Sequence, residues 1–252
     1  KSSYLISHRP QLLSGRLAFE VTGAMYPRRL IADERLDLDA FRKDKLDGNA
    51  QSTIIQLPLA TATSSEILWD FTRLAHLAVV FARQIRCCVL NAGEAEATWD
   101  PKPLTRVEGG RVGKLSTLKS NSEPQATQGL LFESAHGSVL FAIGARSIVY
   151  FDDDVPSIWV TAPTREFLDL GFLINGPFAL DVGRAQLARE YEQNKELATR
   201  LGIRIGEQLC QLFQAAGSQE GWNSLREELR LAGDASPYDF WDSLFSLLGT
   251  GF

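Results

Sequence analysis

The residue with the plainest chemical potential is Arg184, in "PFALDVGRAQL", where a run without helical or strand period ends at the mouth of a long amphipathic helix. A guanidinium is permanently charged and presents a planar fork of donors, which suits the equatorial oxygens of a transferring phosphoryl group. Carried on a loop of a second domain, such a group couples chemistry to domain closure. On spacing alone, Arg184 also reads as a surface arginine that opens a helix. Other residues promise less. Asp152, Asp153 and Asp154 are consecutive, so on an extended chain they point in different directions and read as a solvated loop. His76 has no partner three or four residues away and reads as a packed or surface histidine. Cys87, Cys88 and Cys210 make neither a disulfide framework nor a zinc spacing, and are expected to be buried thiols in a reducing compartment.

The elements that must position these residues follow from periodicity. Residues 14–21, "SGRLAFEV", and 52–59, "STIIQLPL", alternate as strands, with a charged interval at 28–45 read as a polar insertion and Pro58 near a strand end. A helix of about six turns is expected from Thr63 to Ile85. Thr63 and Glu66 form a capping box, and Phe71, Leu74, Ala78, Phe81 and Ile85 make one apolar stripe. Glycines and prolines between 93 and 128 suggest a hairpin about Gly109 and Gly110 and then a loop; a second hairpin turns at His136 and Gly137. Beyond Arg184, Leu197, Leu201, Ile205, Leu209 and Leu212 mark a long helix, weakened in its middle by Gly202 and Gly206. Two shorter helices close the chain, the last opened by Ser236 and Pro237. The class is α+β.

With 252 residues, 44% of them hydrophobic, the chain can build a real core, which excludes disordered and collagen-like classes. A net charge of -5 supplies no global pull toward nucleic acid, though a local basic stripe would still serve. No stretch approaches the roughly 20 apolar residues of a membrane span. A cytoplasmic location is the expectation. Because Lys1 lies inside what reads as a structured segment, the chain is expected to be part of a longer protein.

Several of these motifs together resemble the GHKL ATPases of the sacsin type and of the ninety-kilodalton heat-shock chaperone. "KSSYLISHRPQLLSGRLAFEV" is similar to the segment that follows the ATP lid, through Lys1, Ser2, Tyr4, Leu5, Pro10, Ser14 and Gly15. "STIIQLPL" resembles the closing strand of the ATP-binding domain, with Thr53 on the threonine that borders the adenine pocket and Ser52 in place of a glycine. "PFALDVGRAQL" looks like the catalytic loop of the middle domain, and "QNK" at Gln193, Asn194 and Lys195 recurs before the long helix. The resemblance implies that Arg184 reaches the terminal phosphate of ATP and that Lys1 and Ser2 touch phosphates as the tail of the lid. Ala188 stands where the family has a helper glutamine, a contact left to Arg189 or absent.

The implied architecture is the C-terminal half of a GHKL (Bergerat) ATP-binding sheet in residues 1–60, a chaperone-like α/β middle domain in 61–217 and a helical tail in 218–252. ATP and Mg²⁺ are the implied cofactors, with the metal ligands and general base on an upstream ATP-binding segment. Implied partners are that segment, a protein client or partner subunit, and a second copy in a homodimer. Two other readings stay open: a nucleotide-independent interaction module built on the aromatic tail around Phe240, Trp241 and Phe245, and an ATPase subunit of a microbial defence or nucleic-acid processing system. With the metal and base residues assigned upstream, the chain by itself is expected neither to hydrolyse ATP nor to gain melting temperature from millimolar Mg-ATP, because a ligand that does not bind the native state cannot stabilise it. A clear rise in Tm in a thermal scan with Mg-ATP would refute that expectation.

Overall fold

The computed structural model describes residues 9–22, 26–45, 52–56, 64–82, 85, 87–90, 95–115, 128–181, 183 and 185–250. The chain forms two compact units, Lys1–Phe71 and Thr72–Phe252. Mixed α+β structure is present in both. Lys1, Ser2, Pro58, Thr63 and Arg184 lie outside the described residues, as does the Phe71 side chain.

In the first unit, strands β1 (Gln11–Ser14), β2 (Leu17–Thr22), β3 (Tyr26–Arg29) and β4 (Thr53–Gln56) make an antiparallel sheet in the order β3-β2-β1-β4. Of the strand expected over residues 14–21, residues 17–21 lie in β2, but Ser14 ends β1 and the chain turns at Gly15 and Arg16. Gly15 at φ 55° takes the left-handed conformation, which an achiral residue enters without a Cβ penalty. The charged interval is no insertion either: it holds β3 and helix α1 (Ala32–Lys45). Leu38 of α1 packs with Leu13, Leu30 and Ile54. Leu38 is its buried anchor, whereas Leu36 and Phe41 of the same helix are exposed, and Glu34 supports the helix start by accepting the Ile31 N–H at 3.2 Å.

Glu20 organises the polar edge of this sheet. Its side chain is 2% exposed, yet it accepts from Arg28 Nε at 2.6 Å and Arg9 NH2 at 2.9 Å. The Arg28 hydrogen bond, then Arg9, outweigh burial and pull its pKa down to about 2.

The second unit is built on a mixed sheet in the order β13-β12-β14-β10-β9-β8-β7, with β11 (Ile148–Val149) also on β10. Its centre is the hairpin of β9 (Gln128–Ser134) and β10 (Gly137–Ile143), which turns at Ala135 and His136, one residue before the His136–Gly137 turn expected; Gly137 already belongs to β10. Around it lie β7 (Lys102–Pro103), β8 (Gly110–Lys114), β12 (Ile158–Val160), β13 (Ala162–Pro163) and β14 (Leu173–Asn175). Strands β12 and β14 run parallel, whereas the other pairs are antiparallel. A separate ribbon pairs β5 (Cys87–Leu90) with β6 (Ala95–Thr98).

Each face of the central sheet carries its own core. Leu130, Phe132, Val139, Phe141 and Ile143 pack with helices α3 (Glu192–Ala215), α4 (Gln219–Glu228) and α5 (Pro237–Thr250) through Leu201, Ile205, Leu212, Trp222, Phe240, Leu244 and Leu247. The segment at 218–252 therefore shares its core with the sheet. Further ties are the Ala232 N–H to the Ala145 carbonyl at 2.7 Å and the Ile148 N–H to Ser243 Oγ at 3.0 Å. On the opposite face, Leu131 and Leu140 meet Trp159, Leu173 and the end of helix α2 (Ser64–Phe81), where Leu77 and Phe81 are buried. The helix stops at Phe81, and Ile85 is 45% exposed, outside the expected stripe.

Gln208 of α3 is fully buried and ties the hairpins together. Its Nε2 donates to the Glu108 carbonyl at 2.6 Å and the Glu133 carbonyl at 3.0 Å, while its Oε1 has no hydrogen-bond partner. The chain passes this amide at Gly109, φ 73°, where a Cβ would lie 2.5 Å from Glu133 O and 2.7 Å from Gln208 Nε2.

The cysteines depart from expectation. Cys87 and Cys210 are exposed and Cys88 is partly buried. Cys210 sits on the outward side of α3, whose buried positions are 201, 205, 208 and 212. Among the described residues, no helix is long and apolar enough to cross a membrane. Phe81 touches Trp159 at 5.3 Å between ring centroids. Phe81→Ala should therefore cost about 3–5 kcal/mol, read as a lower urea midpoint at constant m; a change under about 1 kcal/mol would show that the ring contributes little to this core.

Candidate functional site

The loop that carries Arg184 is built from the sheet outward. After β14, Gly176 and Pro177 turn the chain and Phe178 anchors it, 7% exposed. The chain then doubles back on itself. Leu180 and Leu187 form an antiparallel bridge, the Asp181 N–H donates to the Gln186 carbonyl at 2.9 Å, and the Ala188 N–H donates to the Ala179 carbonyl at 2.9 Å. The described limbs, residues 179–181 and 185–188, are thus paired in antiparallel fashion, and Arg184 lies between them in the sequence.

Three side chains from three places in the sequence hold this hairpin. Asp181 Oδ1 accepts the Ala185 N–H at 2.9 Å and the Gln186 N–H at 3.3 Å, closing the tip from within, as short acidic side chains do in turns. Glu166 Oε1 accepts the Leu187 N–H at 2.6 Å, and beside it the Arg165 N–H donates to the Ala185 carbonyl at 2.6 Å. Asn194, in the first turn of α3, grips Ala179 twice: Oδ1 accepts its N–H at 2.8 Å and Nδ2 donates to its carbonyl at 3.0 Å.

A polar residue at that helical position commonly reaches back to cap its own helix. Here the cap residue Tyr191 makes no side-chain cap hydrogen bond, and Asn194 bonds the loop at Ala179. Each such bond contributes about 0.5–1.5 kcal/mol net, more where a carboxylate accepts. Together they offset much of the roughly 1–2 kcal/mol per residue needed to order residues 179–181 and 185–188.

The other sequence-derived residues stand elsewhere. Thr53 opens β4 in the first unit, is exposed, and places its Oγ1 2.7 Å from Ser14 Oγ across the β1–β4 pair. Ala188 is half-buried and contributes only backbone, while Arg189 is exposed on the turn before α3. Asp152, Asp153 and Asp154 are exposed, and Asp154 pairs with Arg73. His76 is packed in α2, where burial pulls its pKa down to about 4 and its Nδ1 has no hydrogen-bond partner. Among the described residues, no group of His, Cys, Asp and Glu could hold a metal ion.

Sequence reasoning missed the holders of the loop. Asn194 was visible within "QNK" but without a role; an asparagine in a helix's first turn, where a longer acid or amide would cap, was its signal. Asp181 had a weaker one, three residues before an arginine in a glycine-containing turn. Glu166 had none, because its partner lies 21 residues away.

No protein-family model matches the sequence, and no curated protein is significantly similar to it.

Asn194→Ala should release Ala179 and loosen the hairpin by about 1–2 kcal/mol. Amide exchange at Ala179, Ala185, Gln186 and Leu187 should then speed up roughly tenfold while β9 and β10 stay protected. Unchanged exchange at those four amides would mean that Asn194 does not hold the loop.

Proposed function

We propose that the chain is part of an ATP-dependent, chaperone-like machine of the GHKL type, in which Arg184 meets the terminal phosphate of ATP as the domains close. The observation that carries this reading is that Ala179 on one side of Arg184 and Ala185, Gln186 and Leu187 on the other are held by Asn194, Asp181 and Glu166. A surface arginine that merely opens a helix needs no such scaffold. An arginine that must meet a phosphate at one place does, because misplacement by about 1 Å can cost a hundredfold in rate.

A second observation supports the architecture. In the first unit, Leu17 and Ile55 are 65% and 60% exposed on the sheet face opposite Leu13 and Ile54, so this sheet offers an apolar face to a further layer. The reading assigns that layer to the upstream ATP-binding segment, together with the Mg²⁺ ligands and the general base. Within it, Thr53 borders the adenine, and Lys1 and Ser2 follow from the lid. Bound Mg-ATP supplies the phosphoryl group and its charge. Arg184 orients the terminal phosphate and neutralises charge that develops there, while Asp181, Glu166 and Asn194 position Arg184. A second copy, a partner subunit and a protein client belong to the same reading.

Arg184→Ala in the full-length protein should leave folding within about 0.5 kcal/mol and nucleotide binding nearly intact. The steady-state hydrolysis rate should fall at least about tenfold, or 1.4 kcal/mol. Arg184→Lys should rescue little, since a point charge lacks the two-pronged contact. Unchanged turnover in the alanine variant would leave Arg184 as a helix-entry residue and remove the central support of the proposal.

A further inference from the structure

Helix α5 is apolar on two sides. Its inner side, Phe240, Leu244 and Leu247, is at most 1% exposed and packs on the sheet. Tyr238, Trp241, Phe245 and Leu248 make a second stripe at spacings of three, four and three, the pattern with which helices meet partner helices. Tyr238 is 73% exposed and Phe245 56%, while Trp241 and Leu248 are partly buried against the core. Phe213 of α3, 52% exposed, lies alongside.

These rings are not scattered. Phe213 meets Trp241 edge to face at 5.1 Å and Phe245 at 6.4 Å, Trp241 stacks on Phe245 at 6.2 Å, and Trp241 rests on buried Phe240 at 5.1 Å. A continuous aromatic cluster anchored from below is already ordered, so a partner that covers it need not immobilise it. Exposed apolar clusters of this kind mark interaction sites.

The surrounding charge says what the partner is. Helix α5 bears Asp239 and Asp242, both exposed, and no lysine or arginine. On α3, Glu207 is paired with Arg204 at 2.8 Å, so the free charge beside the cluster is that of Asp239 and Asp242. A second copy meeting this patch about a twofold axis would bring the acidic rim against itself, which is unfavourable. A helix with an apolar stripe flanked by lysine or arginine would match both features.

We propose that the aromatic cluster of α3 and α5 is a docking site for a basic amphipathic helix of a protein partner. The proposal is independent of the role of Arg184.

The test uses a fluorescein-labelled synthetic peptide of about 15–18 residues, long enough to fold as a helix on the surface, with leucines at one helical face and lysines flanking them. A twin carries glutamate for each lysine. By fluorescence anisotropy the lysine peptide should bind the chain at least about tenfold more tightly than its twin. Phe213→Ser and Phe245→Ser should each weaken binding tenfold or more with the melting curve retained. The double variant Asp239→Lys, Asp242→Lys, which alters only exposed positions, should reverse the preference toward the glutamate twin. Equal affinity for both peptides, no binding of either, or binding that survives both serine substitutions would overturn the proposal. So would sedimentation showing a dimer that Phe245→Ser dissociates, because a second copy would then be the occupant.

Discussion

The β9–β10 hairpin is the constraint on which the second unit depends. Its register pairs Leu131 with Leu140, Phe132 with Val139 and Leu130 with Phe141. Successive residues therefore serve opposite cores, and a slip of one residue would exchange every buried side chain between the helical face and the Trp159 face. Because both faces are covered, the hairpin cannot adjust to either side alone. That rigidity passes to the arginine hairpin along two routes. Strand β14, which leads into it, is bonded to β10, and α3, which leads out of it, packs on β9 and β10. Asn194 closes the circuit by joining the first turn of α3 to the incoming limb at Ala179.

What was legible in the sequence was whatever rests on a repeated pattern. The alternation in "GLLFESAHGSVLFAI" predicted both strands and their turn to within one residue, and the three-and-four spacing after residue 191 predicted the long helix. Elements with a thin pattern were missed. Helix α1 buries Leu38 among fourteen mostly charged residues, too little for periodicity to register. The corner at Gly15 sits inside an apparently alternating run, and its cue was a single Ser-Gly pair. Cys210 looked like a core thiol because burial is the habit of its residue type; only the phase of α3 puts it outside.

The candidate site divides along the same line. Arg184 was legible by its residue type and local setting. Its scaffold was not, because a side chain bonded to a distant backbone amide leaves no periodic trace. Glu166 is separated from Leu187 by a whole strand and two turns, and only the fold brings its carboxylate to that N–H. The aromatic tail was half legible. Phe240 proved to be core, Trp241 partly buried against it and Phe245 exposed, a distinction set by helical phase.

Gln208 and Gly109 stand 99 positions apart, yet the space they share leaves neither free to vary alone. Any side chain at 109 needs the volume that Gln208 Nε2 occupies, and must also enter a left-handed conformation. A glutamate at 208 would set a carboxylate against the carbonyls of Glu108 and Glu133. No change at 208 makes room at 109, because a Cβ there would still lie 2.5 Å from the Glu133 carbonyl oxygen. In a population of variant sequences position 109 would stay glycine while the surface loops around it diverge.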